Sequence, residues 1–187
     1  MNMTKLTTLF PEDDGVTHIN IGRAAQTQLG RDLDIYAHRP FQHPQHGQFA
    51  SVAGYLVWLT RQVESIREVH GFDAVKIAKE LPVMKHFTPE RFQAQINAAT
   101  ALKIAAHADI SKALYASTLP LMHYEVLKQD GQTTVQMGSN GPHALLFIEG
   151  LRREKNCDAD MHNIHKSSER FAEVRHLTDD YDIGLRH

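Results

Sequence analysis

The 187-residue chain predicts an α+β fold, predominantly helical, built as a single domain with short strands and a β-hairpin. Three observations predict it. Apolar residues recur at helical spacing through most of the stretch from 51 to 116. Short extended pieces precede that stretch, and an Asp130-Gly131 turn between two strand-like segments follows it. The resulting order of strand, strand, several helices, hairpin and helix lacks the regular strand-helix alternation of a doubly wound sheet.

Taken in order, residues 1–17 read as a flexible lead-in, with Pro11 and the acidic pair Asp13 and Asp14 before Gly15. Across 18–23, Ile19 and Ile21 alternate with polar neighbours, the period of a short strand. Residues 35–41 form a second extended piece, because the ring of Pro40 disfavours helix at Arg39, and 42–47 form a turn. Ser51 is an N-cap, after which Val52, Tyr55, Leu56 and Leu59 share a helix face. The stripe continues through Val63 and Ile66 to about Val69, where His70-Gly71 stops it. Residues 72–81 form a second amphipathic helix closed before Pro82. Thr88-Pro89-Glu90 opens a third: Thr accepts from the first turn, Pro needs no amide partner there, and an acid suits the positive helix end. Its stripe of Phe92, Ile96, Ala99, Leu102 and Ala106 carries it to His107. A short helix at 109–116, a hairpin of 121–127 against 133–137, and a helix at 144–151 complete the domain. Beyond Arg152 the chain turns charged and polar, with Met161, Ile164, Phe171, Val174 and Leu177 as a thin apolar stripe and a mobile end at 179–187. The division is therefore a lead-in at 1–17, a domain at 18–154, and a polar C-terminal helix and tail at 155–187.

Composition narrows the function. A net charge of −2 excludes a general nucleic-acid or membrane binder of the basic-stripe kind, although a local basic pocket is compatible with it. One cysteine, Cys157, leaves neither a disulfide framework nor a cysteine metal site. No apolar run reaches the ~18 residues of a membrane span, and a cytoplasmic location is expected. The phosphate loop GxxxxGK[ST], the dinucleotide fingerprint GxGxxG, the GxSxG elbow and the HExxH zinc helix are all missing from the sequence.

The chemistry-bearing residues concentrate between 29 and 59. Arg31 and Arg39 suit phosphate, because the planar guanidinium donates in pairs, and Arg23 closes the first strand. Tyr36, Phe41, Tyr55 and Trp58 serve either as stacking platforms or as core, and spacing alone does not separate the two roles. Lys103 lies in an otherwise apolar helix, where its amine must escape to water, pair, or meet a ligand. Lys76 and Lys79 read as a solvated helix face. His43-Pro44-Gln45-His46 has ligand-like spacing, but it sits in a turn without further rigid ligands, so no metal is assigned.

Several segments together resemble the NADAR family, compact N-glycosidase-like domains linked to NAD and ADP-ribose metabolism, and its phage-type branch most. They are Ile19-Asn20-Ile21 as the opening strand, Leu29-Gly30-Arg31-Asp32-Leu33 before the family's "LSNF" position, and residues 49–55 at its "SxEGY" helix. Residues 71–80 match the basic third helix, 101–110 the helix pair, and 119–126 the hairpin, so that the similarity spans roughly 18–154. The resemblance implies a pocket for an ADP-ribose-type or cyclic nucleotide, with Lys79 at the family's basic position and His123 or Tyr124 facing the pocket from the hairpin. It implies no cofactor, leaves the oligomeric state open, and makes sequestration of a nucleotide signal by a phage protein a natural role.

Two departures bear on activity. "LSNF" is Leu33-Asp34-Ile35-Tyr36 here, and the glutamate of "SxEGY" is Ala53. Hydrolysis of an N-glycosidic bond needs a carboxylate to orient water or to stabilise the developing cation at the anomeric carbon. The expected function is therefore nucleotide binding with impaired cleavage. The alternatives are an active N-glycosidase that uses Asp34, Asp32 or Glu80, and an interaction module that keeps only the scaffold. Ligand contacts are expected from Arg23, Arg31, Tyr36, Arg39, Phe41, Tyr55, Trp58, Lys79, Lys103 and His123. Replacing Arg31 or Arg39 by Ala is expected to weaken binding by roughly 1.5–3 kcal/mol with little change in melting.

Overall fold

A computed structural model describes residues 10–129, 132–137 and 141–157, and its architecture is mixed α+β and mostly helical. The segment before the first strand is tied down from Phe10 onward. After a 3-10 turn at Pro11–Asp13, the buried Asp14 carboxylate accepts from the Asn20 amide at 2.9 Å and the Gln26 amide at 2.6 Å. The looseness expected for the lead-in thus does not hold over 10–17, because one buried acid organises two later loops. Strand β1 (Ile19–Asn20) leads to α1 (Gln28–Leu33), whose N-cap Thr27 accepts from the Gly30 amide.

Residues 34–37 turn instead of extending, and the second strand starts only at β2 (Phe41–His43). It pairs antiparallel with β3 (Gly47–Phe49), so the expected turn is the middle of a small hairpin. Helix α2 (Val52–Arg61) follows, with Ser51 as its N-cap. It ends eight residues before the expected Val69. Gln62 adopts a left-handed conformation at φ 57°, its amide bonds to the Trp58 carbonyl, and its side chain reaches the Trp58 and Leu59 carbonyls. The apolar stripe at Val63 and Ile66 instead runs along a 3-10 turn, Glu64–Glu68.

Helix α3 (Gly71–Ala78) is followed by an extended run and by α4 (Pro89–Ala106), capped by Thr88 as expected. Helix α5 (Ala108–Ala116) precedes β4 (Leu121–Met122), which lies parallel to β1 with Ile19 opposite Leu121. Next, β5 (Tyr124–Gln129) pairs antiparallel with β6 (Gln132–Met137), Gln129 opposite Gln132. The expected hairpin of 121–127 against 133–137 is found as 124–129 against 132–137, because 121–122 pair with β1 instead, and its Asp130-Gly131 tip lies outside the described residues. Helix α6 (Gly141–Cys157) is longer than expected, and the stripe at 161–177 and the end at 179–187 also lie outside the described residues.

Two apolar clusters share α4. One surrounds α2, with Phe41, Phe49, Val52, Tyr55, Trp58, Ile66 and Ala99 buried together. The other joins β1, α1, α5, β4 and α6 through Ile19, Leu33, Ile104, Ile110, Leu114 and Ile148. Each fully buried aliphatic side chain contributes about 1.5–3 kcal/mol. The second cluster is closed by Asn20, whose buried amide donates to the Tyr124 carbonyl at 3.1 Å and accepts from the Tyr124 amide at 3.0 Å. That side chain continues the β1–β4 pairing where backbone pairing stops. Among the described residues, no helix is long and apolar enough to cross a membrane.

Candidate functional site

Three chain segments converge beside the start of α2. Ser51 is fully buried, and its hydroxyl oxygen accepts both the Gly54 amide at 3.0 Å and the Gly71 amide at 3.1 Å. One serine therefore caps α2 and pins the first residue of α3. The Ala53 amide donates to the Ile35 carbonyl at 2.9 Å, which fixes the 34–37 turn against the same helix end. Gly71 is indispensable to this approach: its φ is +56°, and a Cβ there would lie 2.7 Å from the Tyr36 carbonyl oxygen.

Between the 34–38 turn and the start of α3 opens a cleft of about 470 Å³. Arg23 and α1's Arg31 and Asp32 line one side, Asp34, Tyr36 and His38 come from the turn, and His70, Phe72, Asp73 and Lys76 come from α3 and its cap. Tyr36 and Phe72 stack with centroids 4.1 Å apart and planes 10° apart, and the Arg23 guanidinium lies 5.3 Å from the Phe72 centroid. His38 stacks on His70 at 4.6 Å. Arg31 adds charge while its guanidinium clamps the preceding loop, donating to the Ala25 and Gln26 carbonyls at 2.8 Å.

Three carboxylates share the cleft and differ in kind. Asp32 receives a two-point contact from Arg39, at 2.9 and 2.7 Å, and Arg39 also meets Asp109 at 3.1 Å. Burial works against ionisation of Asp32, but the hydrogen bonds from Arg39 and Gln28 outweigh it and hold the carboxyl below its usual range. Asp73 is exposed and pairs with Lys76 at 3.3 Å. Asp34 is 8% exposed, and burial pushes its carboxyl up despite the Tyr36 amide it accepts at 3.2 Å.

Beneath this turn lies Lys103, wholly buried. Its amine donates to the carbonyls of Asp32 and Leu33, which α1 leaves open at its C-terminal end, at 2.8 and 3.1 Å, and to that of Asp34, which also accepts the Ala37 amide, at 2.9 Å. Burial pushes the amine down to about 7, against the pull of Asp34 and Asp32.

The cleft thus brings together Arg23, Arg31 and Tyr36 from the sequence-based set. The others lie elsewhere. Phe41, Tyr55 and Trp58 are core, 2%, 0% and 7% exposed, because α2 turns that face toward β2, β3 and α4. Arg39 is held by two carboxylates, which corrects the expectation of a free surface cation whose loss leaves stability unchanged. Lys103 is a structural donor rather than a ligand contact. Lys79 is exposed and lies off the cleft, one turn past Lys76, which does line it. His123 Nδ1 contacts the Ile21 carbonyl at 2.6 Å and joins β4 to the first strand. Ala53 is 2% exposed and contributes no wall.

The histidine turn is also accounted for. His43 Nδ1 accepts the Gln45 and His46 amides, each at 3.2 Å, so a neutral ring carries its proton on Nε2, facing Tyr55 Oη at 3.4 Å. Tyr55 Oη in turn donates to Gln95 Oε1 at 2.5 Å. Burial, with His46 adding to it, pushes the His43 imidazole down to about 4. Among the described residues, no group of three or more His, Cys, Asp or Glu side chains is placed to hold a metal ion.

The residues that sequence reasoning missed are Phe72, Lys76, His38 and His70. A usable signal was Gly71 directly before Phe72, since a helix opening on a left-handed glycine marks a close backbone approach. Comparison of this chain with protein-family models, curated proteins and solved structures gives no match in any of the three.

Proposed function

We propose that this protein binds a pyrophosphate-bearing ribonucleotide of the ADP-ribose type, linear or cyclic, in the cleft between the 34–38 turn and α3, and holds it without efficient cleavage. One observation carries the reading: the Tyr36–Phe72 aromatic pair and the cations Arg23, Arg31 and Lys76 converge on a single cleft of about 470 Å³. Phosphates need convergent donors, and a base needs an apolar face that does not demand one base identity. Arg23 reaches both, lying over Phe72 while free of any ion pair among the described residues. The resemblance to NADAR domains supports the same ligand class.

Holding rather than cleaving rests on the resemblance, which sets a glutamate where this chain has Ala53, a buried residue outside the cleft wall. Cleavage of an N-glycosidic bond to ribose needs a carboxylate at the anomeric carbon, and Ala53 offers a methyl group and an amide already committed to Ile35. A binder of this kind would suit the sequestration of a nucleotide signal. The test is thermal-shift screening with NAD, ADP-ribose, cyclic ADP-ribose isomers and ADP-ribosylated guanosine, followed by chromatography of the products. At a hundredfold excess over Kd the ligand should stabilise the fold by about 2.7 kcal/mol, with no free base or nicotinamide released. No shift with any of these nucleotides refutes binding. Turnover by the natural chain equal to that of a folded Ala53→Glu variant would establish the competing reading, an N-glycosidase with a displaced carboxylate.

A further inference from the structure

The cleft presents an electrostatic puzzle. A ligand with two phosphates is repelled by carboxylates, yet three of them share its walls. Two are neutralised locally, Asp32 by Arg39 and Asp73 by Lys76. The third, Asp34, has no cation bound to its carboxylate: the nearby Lys103 amine spends its bonds on the Asp32, Leu33 and Asp34 carbonyls. The Tyr36 amide donates to Asp34 Oδ1 at 3.2 Å and the Ile35 amide also bonds the carboxylate, so its donors are backbone amides and not a cation. Asp34 is thus the one of these three carboxylates that no side-chain cation pairs with among the described residues, although it is only 8% exposed.

We propose that Asp34 receives the vicinal hydroxyls of a ribose, so that the cleft selects ribonucleotides by their cis-diol. Two adjacent hydroxyls match the two oxygens of one carboxylate, and a carboxylate on a ribose diol is an established way of reading the sugar beside a pyrophosphate. Position favours the sugar over the base. Asp34 lies among the cleft's cations, and in a nucleotide the ribose is the group bonded directly to the phosphates. The base then extends to the Tyr36–Phe72 pair. This rests on the nucleotide reading above and adds which chemical feature of the ligand is required.

The test is titration calorimetry with the full chain and two probes. One is ADP-ribose. The other is ADP-ribose whose diols have been cleaved by periodate and reduced with borohydride, which keeps adenine and pyrophosphate but has no vicinal diol. The natural protein should bind the second at least tenfold more weakly. Asp34→Asn should weaken ADP-ribose by about tenfold and bind the diol-free probe at least as well as the natural protein does. Equal binding of both probes by the natural protein overturns the inference even if Asp34→Asn fails to fold. A folded Asp34→Asn that binds ADP-ribose unchanged, or loses both probes equally, overturns it too. Failure of ADP-ribose to bind at all refutes the underlying nucleotide reading, and the diol inference with it.

Discussion

Replacing Lys103 by Met removes one ammonium and leaves the side chain's length nearly unchanged, so it isolates the polar contribution. The amine holds three carbonyls at 2.8–3.1 Å where α1 ends and the cleft turn begins. Each carbonyl left without a donor in a buried place costs about 1–3 kcal/mol. The Asp34 carbonyl keeps the Ala37 amide at 3.0 Å, so two carbonyls are stranded, roughly 2–6 kcal/mol, offset in part because a buried ammonium no longer has to be desolvated. The expected net loss is about 1–4 kcal/mol, a sizeable share of the 5–15 kcal/mol that typical domains possess. Urea unfolding followed by tryptophan fluorescence measures it, and at a slope of about 2 kcal/mol per molar the midpoint falls by roughly 1 M. A second readout is pH. The folded amine titrates near 7, while the unfolded one keeps its proton to about 10.5. Between those values the unfolded chain binds the extra proton, so this group's contribution to stability increases as pH rises from 7 toward 10.5. The gap between natural chain and Lys103→Met should therefore widen across that window. A midpoint change under about 0.3 M together with a flat gap would refute the role given to Lys103.

Other perturbations have equally definite outcomes. Arg39→Ala strands Asp32, whose side chain is 11% exposed, and should cost about 1–3 kcal/mol in urea unfolding while leaving ADP-ribose affinity within twofold. His43 titrates near 4 when folded and near 6.5 when unfolded, so stability should fall by up to about 3 kcal/mol as pH drops through that interval, and His43→Gln should flatten the fall. Gly71→Ala places a Cβ 2.7 Å from the Tyr36 carbonyl oxygen at a positive φ. It should cost about 1–2 kcal/mol or more by thermal unfolding and weaken nucleotide binding, because the turn and α3 can no longer meet.

How much of this was legible beforehand depends on how local each feature is. Thr88-Pro89 opens α4 and Ser51 caps α2 as their side chains dictate, since a cap involves only three or four neighbouring residues. The β5–β6 hairpin is signalled in the sequence by Asp130-Gly131 for the same reason. By contrast, β1 and β4 pair across a hundred residues, and neither segment carries a local mark of its partner. The end of α2 is set by Gln62 in a left-handed conformation, which a non-glycine residue does not advertise. At the site, Arg31 and Arg39 looked alike as sequence, yet Arg39 meets Asp109 seventy positions away and is spent on structure. Tyr36 was separable from Tyr55 and Trp58 only once the stacking with Phe72 placed it on a cleft wall. Lys103 offered the clearest warning, because a lysine in an apolar stripe must find acceptors, and it found three.

The most direct test of the central claim is calorimetric titration of ADP-ribose into the natural chain and into Arg23→Ala. Arg23 faces the cleft without an ion-pair partner among the described residues, so its loss should leave melting unchanged while removing a charged donor to phosphate. The account predicts saturable one-to-one binding by the natural chain, weakened by roughly 1.5–3 kcal/mol, about 10- to 150-fold, in the variant. No saturable heat with the natural chain, or equal affinity in the two proteins, would contradict it.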